Sequence, residues 1–547
     1  MRNDVIRMYR DIHSWVGIIS GLALFIAFYA GAITMFEAPL QRWASPPSQF
    51  GESTPLARTE ELVDKVLRQY PEAAKSYQIV LNSGPEQPGR LTWNGQVLGE
   101  DDHSEPTVYY ADLMQDGSLK VSAQGPSPVA QLVDDLHRQV GLPFAHEISN
   151  PIMGVVSLLY CIALVSGIIV LIPTLVKDLF AFRIGKNLKR MWLDLHNLLG
   201  LFSLPFHIVM ALTAVVFAFH DQFYDALDTF VLGEPSRFTQ MPIPEPGPHR
   251  TAPLSPGQIV ARLGEQVPGF RVTLLNYRAG PDNRLGLRVQ GQDSRYGARS
   301  TAGGIAEVNP YTGEILANDY LPGQQNAWGA TVTGFFALHF GSFGGGVIRW
   351  SYFFLGLAGA FLFYTGNLLW LESKRKKRRK RDQEAAVAQA SSARILGALT
   401  IGVPLGCVAG ISLTIAAAKW LPYWVDNPAL WHSAIYYVVF LAAIAWALIR
   451  GVATAAVELL LAAALMTLMI PVTSLLSLLN AGLGWNHHDY SLTVDLVALA
   501  GVLALILLSF KTAARIKRAP EDSIWSVGND DVSGKGDKEQ IGVPSLR

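Results

Sequence analysis

Cysteine is almost absent from this chain: there are 2 in 547 residues, Cys161 and Cys407, and each lies inside an apolar run. They cannot cross-link the polar segments, and without a C-x-x-C-H motif covalent c-type haem attachment is excluded. Charge is scarce too. Only 16% of residues are Asp, Glu, Lys or Arg, and 44 basic side chains are matched by 44 acidic ones. A net charge of zero excludes a globally basic nucleic-acid binder and a polyacidic disordered chain, so no nucleic-acid partner is expected. No G-x-G-x-x-G follows a strand-like run, which argues against bound NAD or flavin, and the polar segments carry no pattern resembling a catalytic triad.

What the chain has instead is apolar length. Half of its residues are hydrophobic, and a helix needs about 20 of them in a row to cross a bilayer. Eight runs are candidates, the last of them short: Ser14 to Phe36, Ile152 to Val176, Leu195 to Phe219, Trp350 to Leu371, Ile395 to Ala418, Ala429 to Ile449, Leu459 to Asn480 and Leu496 to Phe510. Lys and Arg cluster at alternate ends of these runs: Arg2, Arg7 and Arg10; Lys177 to Arg190; Lys374 to Arg381; Arg450; and Lys511 to Arg518. By the positive-inside rule all five clusters share the cytoplasmic side, and both termini are expected there. The run Lys374 to Arg381 is read as a topological and headgroup anchor rather than a nuclear or RNA signal. The first run is read as an uncleaved anchor.

The expected fold is a polytopic α-helical membrane protein of about eight transmembrane helices with two outward α+β modules. The division is 1–36 for the first span, 37–150 for the first module, 151–219 for spans two and three with a basic loop, and 220–345 for the second module. Span four takes 346–372, a basic linker 373–394, spans five to eight 395–513, and a disordered tail 514–547. The first module holds twice as many acidic as basic side chains, and the second carries Arg but no Lys. Glu60 to Tyr70 reads as a helix followed by strands at Gln78 to Leu81 and Gly89 to Trp93. Ser255 to Val267, Arg271 to Asn276 and Arg284 to Gln290 repeat that order, and Asn309-Pro310-Tyr311-Thr312-Gly313 supplies a turn signal.

A short repeat is the most informative feature. Asp11-Ile12-His13 with Gly17, Asp135-Leu136-His137 with Gly141, and Asp194-Leu195-His196 with Gly200 all fit D-[IL]-H-x3-G, and Leu338-His339 with Gly341 is a weaker relative. Each copy lies at or before the start of one of the first four spans. In a continuous helix His196, Gly200 and Ser203 fall on one strip of little bulk, and His207 returns to that face eleven residues on, about 16 Å along. Such a strip suits a flat macrocycle, and histidines stacked on helices of a bundle suit two haems held by axial imidazoles. A single membrane-edge histidine is ordinarily an interfacial side chain, and glycines commonly serve helix packing; a repeat at fixed offsets asks for more. His207, deep in an apolar run, is functional by default. The aspartates are expected to cap helix ends. His103, His146, His220, His249, His432 and the pair His487-His488 carry weaker signals.

These histidine motifs, the Ser166-Gly167 and Thr365-Gly366 pairs, the Leu338-His339-Phe340-Gly341 approach and the two outer modules resemble the PepSY-associated transmembrane family. The likeness is to its inner-membrane ferrisiderophore reductases of the FoxB and PiuB type, and it covers roughly residues 8 to 372. Thr213-Ala214 departs from the family's usual Thr-Gly pair. The resemblance implies non-covalent haem b, two copies with bis-histidine ligation, passing electrons across the bacterial inner membrane to an iron(III) siderophore in the periplasm and releasing iron(II). Five candidate ligands, His13, His196, His207, His339 and His137, compete for four axial positions. A twofold relation between the halves pairs His13 with His196 and His137 with His339, with His207 competing for the second haem. The donor is expected to be quinol or a separate cytoplasmic protein, and Trp328, Phe335 and Phe336 mark a docking approach for the chelate. A siderophore or peptide permease and a non-enzymatic periplasmic sensor or scaffold are the rival readings.

Overall fold

A computed structural model describes residues 2–82, 87–95, 107–175, 188–227, 229–230, 242–245, 252–280, 283–296, 303–381, 391–479, 492–519 and 523–526. The expected basic loop 177–187, His103, His249 and the His487-His488 pair lie outside them.

Seven helices are long and apolar enough to cross a membrane, and a bent pair brings the count to eight. The first bundle comprises α1 (Asn3–Thr34), α5 (His146–Leu171), the bent pair α6 (Leu188–Phe202) and α7 (Leu204–Ala218), and α11 (Gly345–Arg381). Between α1 and α5 lie α2 (Glu37–Ala44), α3 (Thr59–Gln69) and α4 (Val129–Arg138). Between α7 and α11 come α8 (His220–Leu227), α9 (Pro256–Gln266) and α10 (Ala327–Phe340). The second bundle is α12 (Ser391–Ala418), α13 (Pro428–Arg450), α14 (Val452–Leu479) and α15 (Thr493–Ile516). Counting the bent pair as one span, eight alternating crossings bring the start of α1 and the end of α15 to one side and both polar modules to the other.

Three expectations are corrected here. The third span is not one straight helix: it breaks at Ser203 with a bend of 70°. Pro205, in the first turn of α7, is the reason, because it has no N–H for the preceding turn. The strip from His196 to His207 is therefore interrupted. The helix of span four does not end at 372: α11 continues to Arg381, through the first part of the basic linker. The C-terminal segment is not wholly a tail: helix α15 extends to Ile516, and Trp525, buried, stacks 4.3 Å from the Arg515 guanidinium beside Trp192.

The two outer modules join. Strands β1 (Ser76–Val80), β2 (Leu91–Asn94), β3 (Val108–Leu113) and β4 (Leu119–Ser122) come from the first, and β5 (Arg271–Ala279), β6 (Leu285–Gln292), β7 (Gly304–Val308) and β8 (Ile315–Tyr320) from the second. They form one antiparallel sheet in the order β4-β3-β2-β1-β5-β6-β7-β8. At its centre Tyr77 pairs with Tyr277, and their buried rings stack 4.9 Å apart. The alternation along these strands gives one apolar face: Ile79, Leu91, Leu275, Leu287 and Val289 are fully buried under Leu62 and Val66 of α3 and Ile259 and Leu263 of α9. Each of those helical pairs is spaced i, i+4, so one stripe of each helix meets the sheet. A capping box between Ser255 and Gln258, with Pro256 following, starts α9.

Within the second bundle Gly402, Gly406 and Gly410 recur every four residues on α12. A Cβ built on them would stand 2.9–3.0 Å from α13 atoms of Ile444, Ala443 and Tyr436. The small residues thus let two backbones approach closely where lipid supplies no hydrophobic drive.

Candidate functional site

The first bundle brings four of the five candidate histidines together as two pairs. The rings of His13 on α1 and His196 on α6 have centroids 6.1 Å apart. Those of His137 on α4 and His339 on α10 are 6.0 Å apart, on the sheet side. Two imidazoles ligating one transition metal from opposite faces, each nitrogen about 2.0–2.1 Å from it, place their ring centres about 6.3 Å apart. Both pairs meet that spacing.

The hydrogen bonds fix which nitrogen is available. His13 Nδ1 lies 2.8 Å from the Ala163 carbonyl of α5, and His137 Nδ1 lies 2.7 Å from the Ala27 carbonyl of α1. A carbonyl only accepts, so both rings carry the proton on Nδ1. His196 Nδ1 meets Thr365 Oγ1 at 3.2 Å, and His339 Nδ1 meets Thr213 Oγ1 at 2.7 Å. Each threonine already donates its hydroxyl hydrogen to its own helix, Thr365 to the Leu362 carbonyl and Thr213 to the Val209 carbonyl. With its hydrogen on that carbonyl each hydroxyl accepts from the histidine, and the Leu362 carbonyl is itself a hydrogen-bond partner of His196. All four Nε2 lone pairs are left for a ligand, the arrangement in which metal-binding histidines donate their other N–H to an outer partner. Haem iron asks for two axial donors and no more protein ligands. Among the described residues no group of three or more His, Cys, Asp or Glu could hold a bare metal ion. The donor set therefore fits two bis-histidine haems.

Small residues make room for the rings. A Cβ at Gly31 would fall 2.7 Å from His137 Nδ1, at Gly167 3.0 Å from His13 Cε1, and at Gly366 3.5 Å from His196 Cε1. The Ser-Gly and Thr-Gly pairs in spans two and four thus press glycine against one imidazole each. The glycines of the repeat divide into two kinds. Gly17 and Gly200 are mid-helix: a Cβ on Gly17 meets nothing within 4 Å, and one on Gly200 meets only Leu362, from 3.7 Å. Gly141 (φ +74°) and Gly341 (φ +57°) instead follow the short helices α4 and α10 in the left-handed conformation that ends them. The shorter spacing at His339 follows from that role.

The aspartates are not caps. Asp135 pairs with Arg138 at 2.7 Å and buried Asp194 approaches Arg190 at 3.7 Å, each within its own helix, while Asp11 lies exposed inside α1. The repeat serines, Ser20 and Ser203, hydrogen-bond their own helices at the Val16 and Leu199 carbonyls.

His207 joins neither pair. It is buried and hydrogen-bonds Tyr160 through Nδ1, while its Nε2 is unpartnered and Phe28 and Phe206 pack 5.5 and 5.7 Å from its ring. Six residues of α7 separate it from Thr213, and seven of α11 separate Gly359, which it touches, from Gly366, so it sits about 9–10 Å from each level. The two levels are themselves fourteen residues of α1, about 21 Å, apart, measured from His13 to Ala27. His220 is exposed, His146 bonds Gln139, and buried His432 stands apart on α13. Sequence reasoning missed Ala163; Ala27 and Gly31 were legible as part of the low-bulk face of the first span with His13, Gly17 and Ser20, but that they meet His137 only contacts between distant segments reveal. Thr365 and Thr213 were visible as motif members but not as imidazole partners.

A duplicated unit of helices and half-sheet, carrying paired imidazoles at two depths, defines a multi-pass membrane protein. The chain belongs to the PepSY-associated TM region family, which matches residues 10–373. It is similar to an uncharacterized protein of Pseudomonas aeruginosa, PA4219, at 26% identity over 312 residues, 54% of this chain and 74% of that protein.

Proposed function

We propose that the protein is a haem-dependent reductase of the bacterial inner membrane that delivers electrons to iron(III) held by a siderophore on the periplasmic side and releases iron(II). The observation that carries this reading is the pair of imidazole couples at 6.1 and 6.0 Å, each ring with its Nδ1 proton engaged. His13 and His196 would hold the cytoplasmic haem, and His137 and His339 the periplasmic one; His207 is the candidate left over. When bound, haem supplies a one-electron iron couple, and the chain sets its potential through the imidazoles, their hydrogen bonds and burial.

The residues of the chain have three tasks. The Ala163 and Ala27 carbonyls and the Thr365 and Thr213 hydroxyls orient the imidazoles and raise their basicity. Gly31, Gly167 and Gly366 give the rings space. Phe217 and Phe340 stand 5.0 and 5.4 Å from the His339 ring, and Phe336 packs on both of them to extend this apolar wall at the periplasmic level. Placing both termini in the cytoplasm follows the basic clusters, and the electron donor would be quinol or a cytoplasmic protein.

The visible spectrum of the purified protein tests the reading. A b-type spectrum with two haems per chain is expected, and His13→Ala or His196→Ala should each remove about one. A protein without haem after expression with adequate haem supply would exclude the reductase. Reduced haem that leaves added ferric siderophore as iron(III) would favour a permease or sensor.

A further inference from the structure

The family match stops at residue 373, yet α12–α15 share one apolar core with the helix that carries His137. Helix α4 shows two sides. His137 turns to α1, while Val129, Ala130, Val133 and Leu136 are buried with Trp43 of α2, Ile411 and Ile415 of α12 and Tyr436 of α13. A Cβ on Gly141, just past α4, would lie 3.6 Å from the Tyr436 hydroxyl. Its counterpart α10 is supported otherwise. Trp328, Phe336 and Leu338 of that helix are exposed, and its first turn abuts β8, where a Cβ on Gly329 would collide with the Asp319 carbonyl.

The joint between the second bundle and α2 is polar and buried. Trp43 Nε1 donates to Asp495 Oδ2 at 3.3 Å, Ser474 Oγ donates to Asp495 Oδ1 at 2.7 Å, and Lys419 Nζ lies 4.2 Å from the centre of the Trp43 ring. Lys419 is 0% exposed, Trp43 2% and Asp495 6%. Ser45, next after α2, accepts a hydrogen bond from the Ser127 N–H at the start of α4, which ties the two short helices together. A hydrophobic replacement of a buried charged pair is often neutral or stabilising, so such a pair earns its place by specifying position when it has one.

We propose that the four C-terminal helices are a clamp for the His137 side of the sheet-side imidazole pair, with Trp43, held between Lys419 and Asp495, as its positioning residue. The duplicated unit is thereby asymmetric: His339 is set by the sheet and His137 by the second bundle. The proposal rests on reading His137 and His339 as a haem level, and the test separates the two ideas.

Hydrogen exchange of α4 amides is measured in the haem-free full-length protein, and low-spin haem signals and midpoint potentials in the loaded one. Two variants are compared with the parent, Asp495→Leu and the double change Lys419→Met with Asp495→Leu, the second removing both charges so that the fold is retained. In the double variant α4 exchange should rise about tenfold, the scale of one lost hydrogen-bond network contact, and only the sheet-side haem should change its signal or occupancy. The His13–His196 level serves as internal control. Unchanged α4 exchange with two unaltered haems would overturn the clamp, as would equal perturbation of both levels. A parent protein that binds no haem would remove the haem reading, while the exchange result would still decide whether the second bundle holds α4.

Discussion

Replacing Thr213 by valine isolates one hydrogen bond at one level. The threonine hydroxyl stands 2.7 Å from His339 Nδ1 and 2.7 Å from the Val209 carbonyl, and with its hydrogen on that carbonyl it is an acceptor for the imidazole. Valine keeps the shape and deletes the acceptor. A net hydrogen bond is worth about 0.5–1.5 kcal/mol. An acceptor on Nδ1–H makes the imidazole a stronger donor to iron and favours iron(III), so its loss should raise the potential of the sheet-side haem. With about 1.36 kcal/mol per factor of ten and about 59 mV per factor of ten for one electron, the shift is about 20–65 mV upward. Spectroelectrochemical titration of parent and variant, each with two haems, reads it directly. The His13–His196 haem should not move. An unmoved sheet-side potential, or a shift confined to the other haem, would refute the assignment of Thr213 as partner of a ligand. Thr365→Val should move the other level in the same direction but less, because its contact with His196 is longer at 3.2 Å.

Gly31→Ala places a Cβ 2.7 Å from His137 Nδ1 and must displace the ring; a cost of about 1–3 kcal/mol and a weakened sheet-side haem are expected, checked by haem stoichiometry and thermal denaturation. Gly17→Leu meets no protein atom near its Cβ, so the apo fold should persist while haem at His13–His196 is lost. Full haem retention there would mean that this side of Gly17 faces lipid. Lys419, just past the end of α12, is pushed down to about 7 by burial, opposed by Asp495. Between about 7 and 10.4 the unfolded chain holds a proton that the folded chain has released, so stability should rise with pH across that window, by at most about 1.4 kcal/mol per unit, and level off above it. Lys419→Met should flatten the slope of thermal midpoint against pH; an identical slope would show that Lys419 does not titrate there.

Membrane spans were legible in sequence because twenty apolar residues have few other uses, and the histidine repeat was legible because its spacing is local. The break at Ser203 was signalled by Pro205, yet helical arithmetic over His196 to His207 assumed a straight axis. The aspartates looked like caps because residue type alone suggests it. Their ion pairs with Arg138 and Arg190 depend on where the helices begin.

By itself the sequence determined the crossings, the family, the duplication and which histidines to examine, since hydropathy and short motifs depend on neighbours along the chain. Only the tertiary structure decided that His137 rather than His207 meets His339, that two modules share one sheet through Tyr77 and Tyr277, and that α12–α15 share an apolar core with α4. Those outcomes depend on contacts between residues more than one hundred positions apart. Any one of them can be met by many sequences, so none leaves a periodic trace.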